Sequence, residues 1–358
     1  MSSIYGKSLS LSIFGQSHSP AIGMTLDGIP AGLPVDEEKL INFMNRRAPG
    51  KTPWSTPRKE SDQITFLGGV LDGFTCGAPI AATIPNTNTR SADYANTQNC
   101  PRPGHADFTA EIKYGGFQDR SGGGHFSGRL TAPLCIAGGL CLQWLEEMGI
   151  QIGAHIYSIG NTTGLRFDDL NPQLDRVGKI FPTLDVETAE QFISIIDLAH
   201  KNGDSVGGKI ECAVIGLPAG LGEPMFEGVE SKIAQILFGI PAVKSVSFGQ
   251  VKALGSQNND SYTISEDNVV TNTNNCGGIL GGITNGAPLI FDVGIKPTPS
   301  IAQTQETVDL TTMQKSTLDI KGRHDPCILP RAVPVIEAAA AIAIFDMILG
   351  NTQTKRRK

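Results

Sequence analysis

The stretch Ile22-Gly-Met-Thr-Leu-Asp-Gly-Ile-Pro-Ala-Gly-Leu33 decides how the rest of the chain is read, because its plan returns downstream as Lys209-Ile-Glu-Cys-Ala-Val-Ile-Gly-Leu-Pro-Ala-Gly-Leu221. Each copy reads as a strand, then a Pro-Ala-Gly-Leu turn, then an amphipathic helix. In the first copy Asp36 opens the helix and Leu40, Ile41 and Met44 share a face; in the second Ile233, Ile236 and Leu237 do so. A further echo pairs Arg129-Leu-Thr-Ala-Pro133 with Arg331-Ala-Val-Pro334, each entering a long apolar helix, about 131 to 148 and about 332 to 349. Gly149 is placed to cap the first of these. Helices apolar on most faces are buried helices. Length alone suggests roughly two domains, but the echo predicts two related halves closing on one core. The expectation is a single domain over residues 1–358, with a polar tail from about 351.

Between the halves the pattern predicts a strand over 151–160, a helix over 186–202 and a strand over 242–249. The tract Gly255 to Asn275, rich in Asn, Asp, Ser and Thr, predicts a long loop of the kind that covers a site. The 42 glycines come in runs, such as Gly122 to Gly124 and Gly281-Gly282, which bring backbone close to a ligand or to another backbone. Seven scattered cysteines without a C-x-x-C pair point to a reducing cytosol. No apolar h-region stands at the N-terminus, so the expected location is cytoplasmic, with no membrane partner.

Chemistry is concentrated in Arg102-Pro-Gly-His-Ala-Asp107, in Arg120-Ser-Gly-Gly-Gly-His125 with Arg129, and in Lys321-Gly-Arg-His-Asp-Pro326 with Arg331. A further histidine lies in Phe14-Gly-Gln-Ser-His18. With a net charge of -6, these clusters read as small-molecule anion pockets, not a nucleic-acid surface. The arginines exceed what one carboxylate needs, and phosphate is the group that Arg grips with two parallel hydrogen bonds. Histidine beside guanidinium groups suits proton exchange near neutral pH. Asp325, between His324 and Pro326, is either an orienting acid or a turn residue. For Arg120 and Arg331 a salt bridge is as good a reading as function. Gly203-Asp-Ser-Val-Gly-Gly-Lys209 misses the phosphate-loop pattern, since Ile210 replaces Ser/Thr and a strand follows. There is no G-x-G-x-x-G and no H-E-x-x-H, and His105 with Asp107 is too sparse for a metal site.

Taken together, Phe14-Gly-Gln-Ser-His18, Asp27-Gly-Ile-Pro-Ala-Gly32, Arg46-Arg-Ala-Pro-Gly50, Arg102-Pro-Gly-His-Ala-Asp107, Asp119-Arg-Ser-Gly-Gly-Gly124, Gly277-Gly-Ile-Leu-Gly-Gly-Ile283, Lys296-Pro-Thr298 and Lys321-Gly-Arg-His-Asp-Pro-Cys327 give a chain that resembles the chorismate synthase family along nearly its whole length. The resemblance implies a lyase that removes phosphate from 5-enolpyruvylshikimate 3-phosphate by 1,4-anti elimination, giving chorismate for aromatic biosynthesis. It implies reduced FMN as cofactor without net redox change, an α+β sandwich with helices between antiparallel sheets, and a homotetramer. His18 matches the histidine that protonates the departing phosphate, His105 the one near flavin N1, and Asp325 the acid near flavin N5 that assists loss of the C6 proton. Arg47, Arg102, Arg129 and Arg323 match substrate or phosphate positions. Ser127, Ala242, Gly281, Lys296, Pro297, Thr298, Pro299, Ser300 and Arg323 match flavin-contacting positions.

The chain departs from the family pattern at His125 and Phe126, and Pro299 stands where a serine is usual. Pro53 replaces an arginine linked in some members to NADP binding. The expectation is therefore no strong NADPH site, with reduced flavin delivered by a separate reducing system. Two rivals are a flavin-binding protein without catalysis and a sugar-phosphate phosphotransferase. The histidine pair speaks against the first, and the lack of a nucleotide loop or a magnesium carboxylate pair against the second.

Overall fold

The computed structural model describes residues 3–50, 62–87, 99–320 and 324–351. Pro53, Arg323 and the polar tail from 352 lie outside the described residues. Within them, two five-stranded sheets enclose helices. Across the first sheet run Ile4–Tyr5, Ser10–Gly15, Ala21–Asp27, Ile80–Pro85 and Thr65–Gly68. Across the second run Val243–Phe248, Leu289–Ile295, Gly208–Ile215, Gln151–Ile159 and Thr162–Thr163. Neighbouring strands are antiparallel throughout. The two strands that open the sequence echo, Ala21–Asp27 and Gly208–Ile215, are each the centre of a sheet. This is the α+β sandwich that the family resemblance implies, built from the two related halves that the sequence echo predicts.

The repeat extends further than the turn first noticed. Gly68-Gly-Val-Leu-Asp-Gly-Phe-Thr-Cys-Gly-Ala-Pro-Ile80 and Gly277-Gly-Ile-Leu-Gly-Gly-Ile-Thr-Asn-Gly-Ala-Pro-Leu289 fold into equivalent hairpins. Each hairpin threonine locks the Pro-Ala-Gly-Leu turn of its own half. Thr75 Oγ1 accepts the Leu33 N–H at 2.9 Å and donates to the Pro30 carbonyl at 2.7 Å. Thr284 Oγ1 accepts the Leu221 N–H at 2.9 Å and donates to the Pro218 carbonyl at 2.7 Å.

The α-helices of the described residues are α1 (Glu37–Arg47), α2 (Asp107–Tyr114), α3 (Thr131–Glu147), α4 (Val186–Lys201), α5 (Val229–Phe238), α6 (Gly255–Asn258) and α7 (Leu329–Gly350). The Asp36 side chain caps α1 by accepting the Lys39 N–H. α3 and α7 are buried on almost every face and pack against each other between the sheets. They approach closely because Gly138 has no Cβ: one added there would lie 2.3 Å from the Cβ of Ala338. α7 is the one described helix long and apolar enough to cross a membrane, and 83% of that apolar window is buried inside the protein. Its two acids have inward tasks. Glu337 takes a two-pronged contact from Arg46 at 2.6 and 2.8 Å, and Asp346 accepts the N–H groups of Lys7, Ser8 and Leu9.

The long loop expected over Gly255 to Asn275 is corrected. It contains α6 and a hairpin of Tyr262–Ser265 with Asn268–Thr271, and none of it borders the main cavity. The hairpin residues are nearly all exposed, so no buried face imposed the apolar alternation by which strands are recognised.

Candidate active site

The N-terminal ends of α3 and α7 border a cavity of about 1030 Å³. Two helix N-termini bring partial positive charge to one space. His18, Arg47, Arg102, His105, Arg129 and Asp325 all line it, although they come from five separate stretches of chain.

His18 lies in the turn after the Ser10–Gly15 strand, with Nδ1 3.0 Å from Ser17 Oγ. Ser17 Oγ donates to the Ser121 carbonyl at 3.1 Å and accepts the Gly123 N–H at 3.3 Å. The serine proton is thereby committed, so Nδ1 of His18 is the donor of the pair and proton exchange falls to Nε2. His105 is held by Asp107, whose Oδ1 is 2.5 Å from Nδ1. Burial alone would raise the Asp107 carboxyl, but hydrogen bonds from Arg102 and His105 outweigh it and hold the group well below the usual carboxylate range. Arg102 braces the unit, donating to Asp107 from Nε and Nη2 at 2.7 Å each and to the Gly122 carbonyl at 2.6 Å. In the sequence, His105-x-Asp107 reads only as a metal motif too sparse to hold an ion. The same spacing is the signal for an oriented imidazole.

Arg47 and Arg129 converge on a residue the sequence reading missed, Asp62, which is 6% exposed. Arg47 Nη1 donates to Asp62 Oδ2 at 2.9 Å, and Arg129 Nη1 donates to Asp62 Oδ1. Burial would raise the Asp62 carboxyl, and the two arginines together hold it below its ordinary value. Asp325 pairs with Arg331, whose Nη1 is 2.5 Å from Oδ2 and whose Nε donates to the Arg47 carbonyl at 3.0 Å. Burial, reinforced by Arg47, lowers the Arg331 guanidinium despite Asp325. Arg120 ion-pairs with Glu111 at 2.6 Å, the salt-bridge reading.

The departures from the family pattern have structural reasons. His125 Nδ1 donates to the Gly15 carbonyl at 2.9 Å while Nε2 lies 2.8 Å from Ser3 Oγ, so both ring nitrogens pin the N-terminal strand region. Phe126 lies against Tyr114, with ring centroids 6.3 Å apart, and forms part of the cavity wall.

Ser127, Ala242, Lys296, Thr298, Pro299 and Ser300 line the same cavity, and Pro297 lies within that last run without bordering it. Ala242 holds φ +74, a left-handed conformation rare for alanine, and its carbonyl accepts the Lys296 N–H at 3.0 Å. Lys296 Nζ donates to the Gly104 carbonyl. Gly281 is not brought here; it sits at the tip of the Ile279–Thr284 hairpin. Leu134, Ile236, Phe238 and Ile328 add an apolar wall. Volume, apolar wall and cationic rim together fit a flat conjugated ring carrying phosphate beside a second anion. Among the described residues no cluster of His, Cys, Asp and Glu is arranged to hold a metal ion.

The family model for chorismate synthase matches residues 9–349. The chorismate synthase of Lancefieldella parvula is 44% identical over 371 residues, covering 97% of this chain and 96% of that protein. That of Thermococcus kodakarensis is 44% identical over 349 residues, covering 96% and 97%. A crystal structure of chorismate synthase superposes with a TM-score of 0.75 at 28% identity, covering 96% of this chain and 93% of the other. With its fold, its length and its sequence all matched, the chain belongs to the chorismate synthase family, carbon–oxygen lyases of aromatic amino-acid biosynthesis.

Proposed function

We propose that the protein converts 5-enolpyruvylshikimate 3-phosphate to chorismate by 1,4-anti elimination of phosphate, with reduced FMN as cofactor. The observation that carries this reading is the convergence of two oriented histidines and three arginines on one cavity at the N-termini of α3 and α7. An anionic substrate beside a flavin phosphate gives that much positive charge a use.

In this reading Arg47, Arg102 and Arg129 bind the substrate anions, and Arg323, outside the described residues, joins them. His18 delivers a proton from Nε2 to the departing phosphate. Asp107 fixes the ring of His105, so that Nε2 of His105 is presented to the flavin. Asp325 assists loss of the proton at substrate C6, and Arg331 sets the direction of its carboxylate. Ser127, Ala242 and the Lys296 to Ser300 run hold the flavin. Reduced FMN supplies electron-rich character to the elimination without net redox change. Gly281 stands away from its own cavity, so a flavin contact there belongs to the cavity of another copy in a homotetramer. We take the chain to form one domain, to work in the cytoplasm and to receive reduced flavin from a separate system.

Phosphate release from the shikimate ester, measured with reduced and with oxidised FMN, tests the reading. Release with the reduced form alone is expected. Full turnover on NADPH in flavin-free protein sinks it.

A further inference from the structure

Arg47 and Arg129 reach the cavity from different elements, the end of α1 and the turn that enters α3, yet their guanidinium groups meet on a single carboxylate. Asp62 is buried behind them and does not line the cavity itself. Each of its oxygens takes one guanidinium. Neutral anchors also hold the pair: Arg47 Nε donates to Thr131 Oγ1 at 3.2 Å and Nη2 to the Gly128 carbonyl at 3.0 Å, while Arg129 Nε donates to Asn86 Oδ1 at 3.1 Å. Two buried like charges this close repel strongly in a low-dielectric setting unless a counter-charge lies between them. Asp62 also holds φ +43, a left-handed backbone that a non-glycine residue adopts when its surroundings over-determine it.

We infer that Asp62 is a positioning residue: it draws the two guanidinium groups into one register, so that they present a single oxyanion slot to the cavity. The inference rests on Arg47 and Arg129 being the anion-holding pair of the proposed function. It goes beyond that reading in assigning the geometry of the pair to a residue that touches no ligand.

The test uses inorganic phosphate as probe, titrated calorimetrically into the full-length wild-type protein and the variants D62N and D62E, with substrate kinetics alongside. D62N keeps the shape but turns a donor toward one arginine. It should weaken phosphate binding at least about tenfold and raise KM for the shikimate ester similarly, with kcat within about threefold, because a charged hydrogen bond is lost from the pair and not from the reacting atoms. D62E keeps the charge and should bind phosphate within about threefold of the wild type. Phosphate binding by D62N that equals or exceeds the wild type overturns the inference, since Asp62 would then be only a counter-charge opposing anions. If D62N does not fold by circular dichroism, D62E decides the matter, and a tenfold loss there overturns it. Failure of the wild type to release phosphate from the ester defeats the proposed function instead, because the binding arm needs no turnover.

Discussion

The backbone of Gly122 lies against the imidazole of His18, so closely that a Cβ added at Gly122 would come within 2.3 Å of Cε1 and 2.6 Å of Nδ1. Gly122 also holds φ +66. Gly122→Ala is therefore expected to push the ring aside and to lower kcat by about 10²-fold, the usual effect of misplacing a reacting group by an ångström. Steady-state phosphate release on the folded variant measures this.

His18→Ala removes the proton donor itself. A kcat lower by roughly 10²–10⁴, with FMN affinity nearly unchanged, is the expected result. Flavin titration and single-turnover assays separate the two quantities, and an unchanged kcat returns His18 to a loop-capping role.

Asp107→Asn should lower kcat at least about tenfold, because a ring without its orienting carboxylate loses part of what a positioned acid–base group contributes. The same change has a signature in stability. The carboxyl is held below its ordinary value in the folded protein, so its stabilising effect is present above the unfolded value of about 3.9 and fades as pH falls through the folded value. Wild type should be the more stable above about pH 4, with the gap closing in more acidic buffer. Urea titrations across that range measure the gap; a difference independent of pH contradicts the assignment.

For Arg129→Lys the charge remains but the fork does not, and Asp62 and Asn86 can no longer both be reached. Substrate affinity should weaken by about 1.5–3 kcal/mol, and FMN affinity much less. Titrating the two ligands separately against the variant gives the comparison, and equal losses would show that Arg129 supports the fold.

Gly138→Ala places a methyl group where the Cβ, Cα and carbonyl of Ala338 already stand. Two rigid core helices must separate to admit it, at a cost of about 1–3 kcal/mol, measurable by chemical denaturation.

The fold was legible where burial left a pattern. α3 and α7 are apolar on most faces because sheets cover them on both sides, and the Pro-Ala-Gly-Leu turns recur because the same threonine lock holds each. The larger repeat ending at Ile80 and Leu289 is hard to see in the sequence because its glycines suggest close approach to a ligand or to another backbone; they also carry the positive φ angles of a tight hairpin, as at Gly69 and Gly278. At the cavity, His18, His105 and the arginines announced themselves by residue type. Asp62 did not, and Asp107 reads only as part of a sparse metal motif, because a supporting residue is defined by what it touches, and Asp62 and Arg129 meet from positions 67 apart in the sequence; Arg331 reads as a salt bridge, and it pairs with Asp325. Gly281 matches a flavin-contacting position through the family resemblance alone, and such a match carries no information about which surface the residue faces in the folded chain.

The close crossing of Gly138 with Ala338 bears on how this protein can be taken apart. Each half contributes one sheet and one core helix, α3 to the first and α7 to the second, and each helix is buried partly by the other half. Two fragments cut at the exposed turn near Met148 would each leave an apolar helix face bare, so neither should stay soluble alone. Produced together, they should recombine into a working whole, as fragment complementation with an obligate interface.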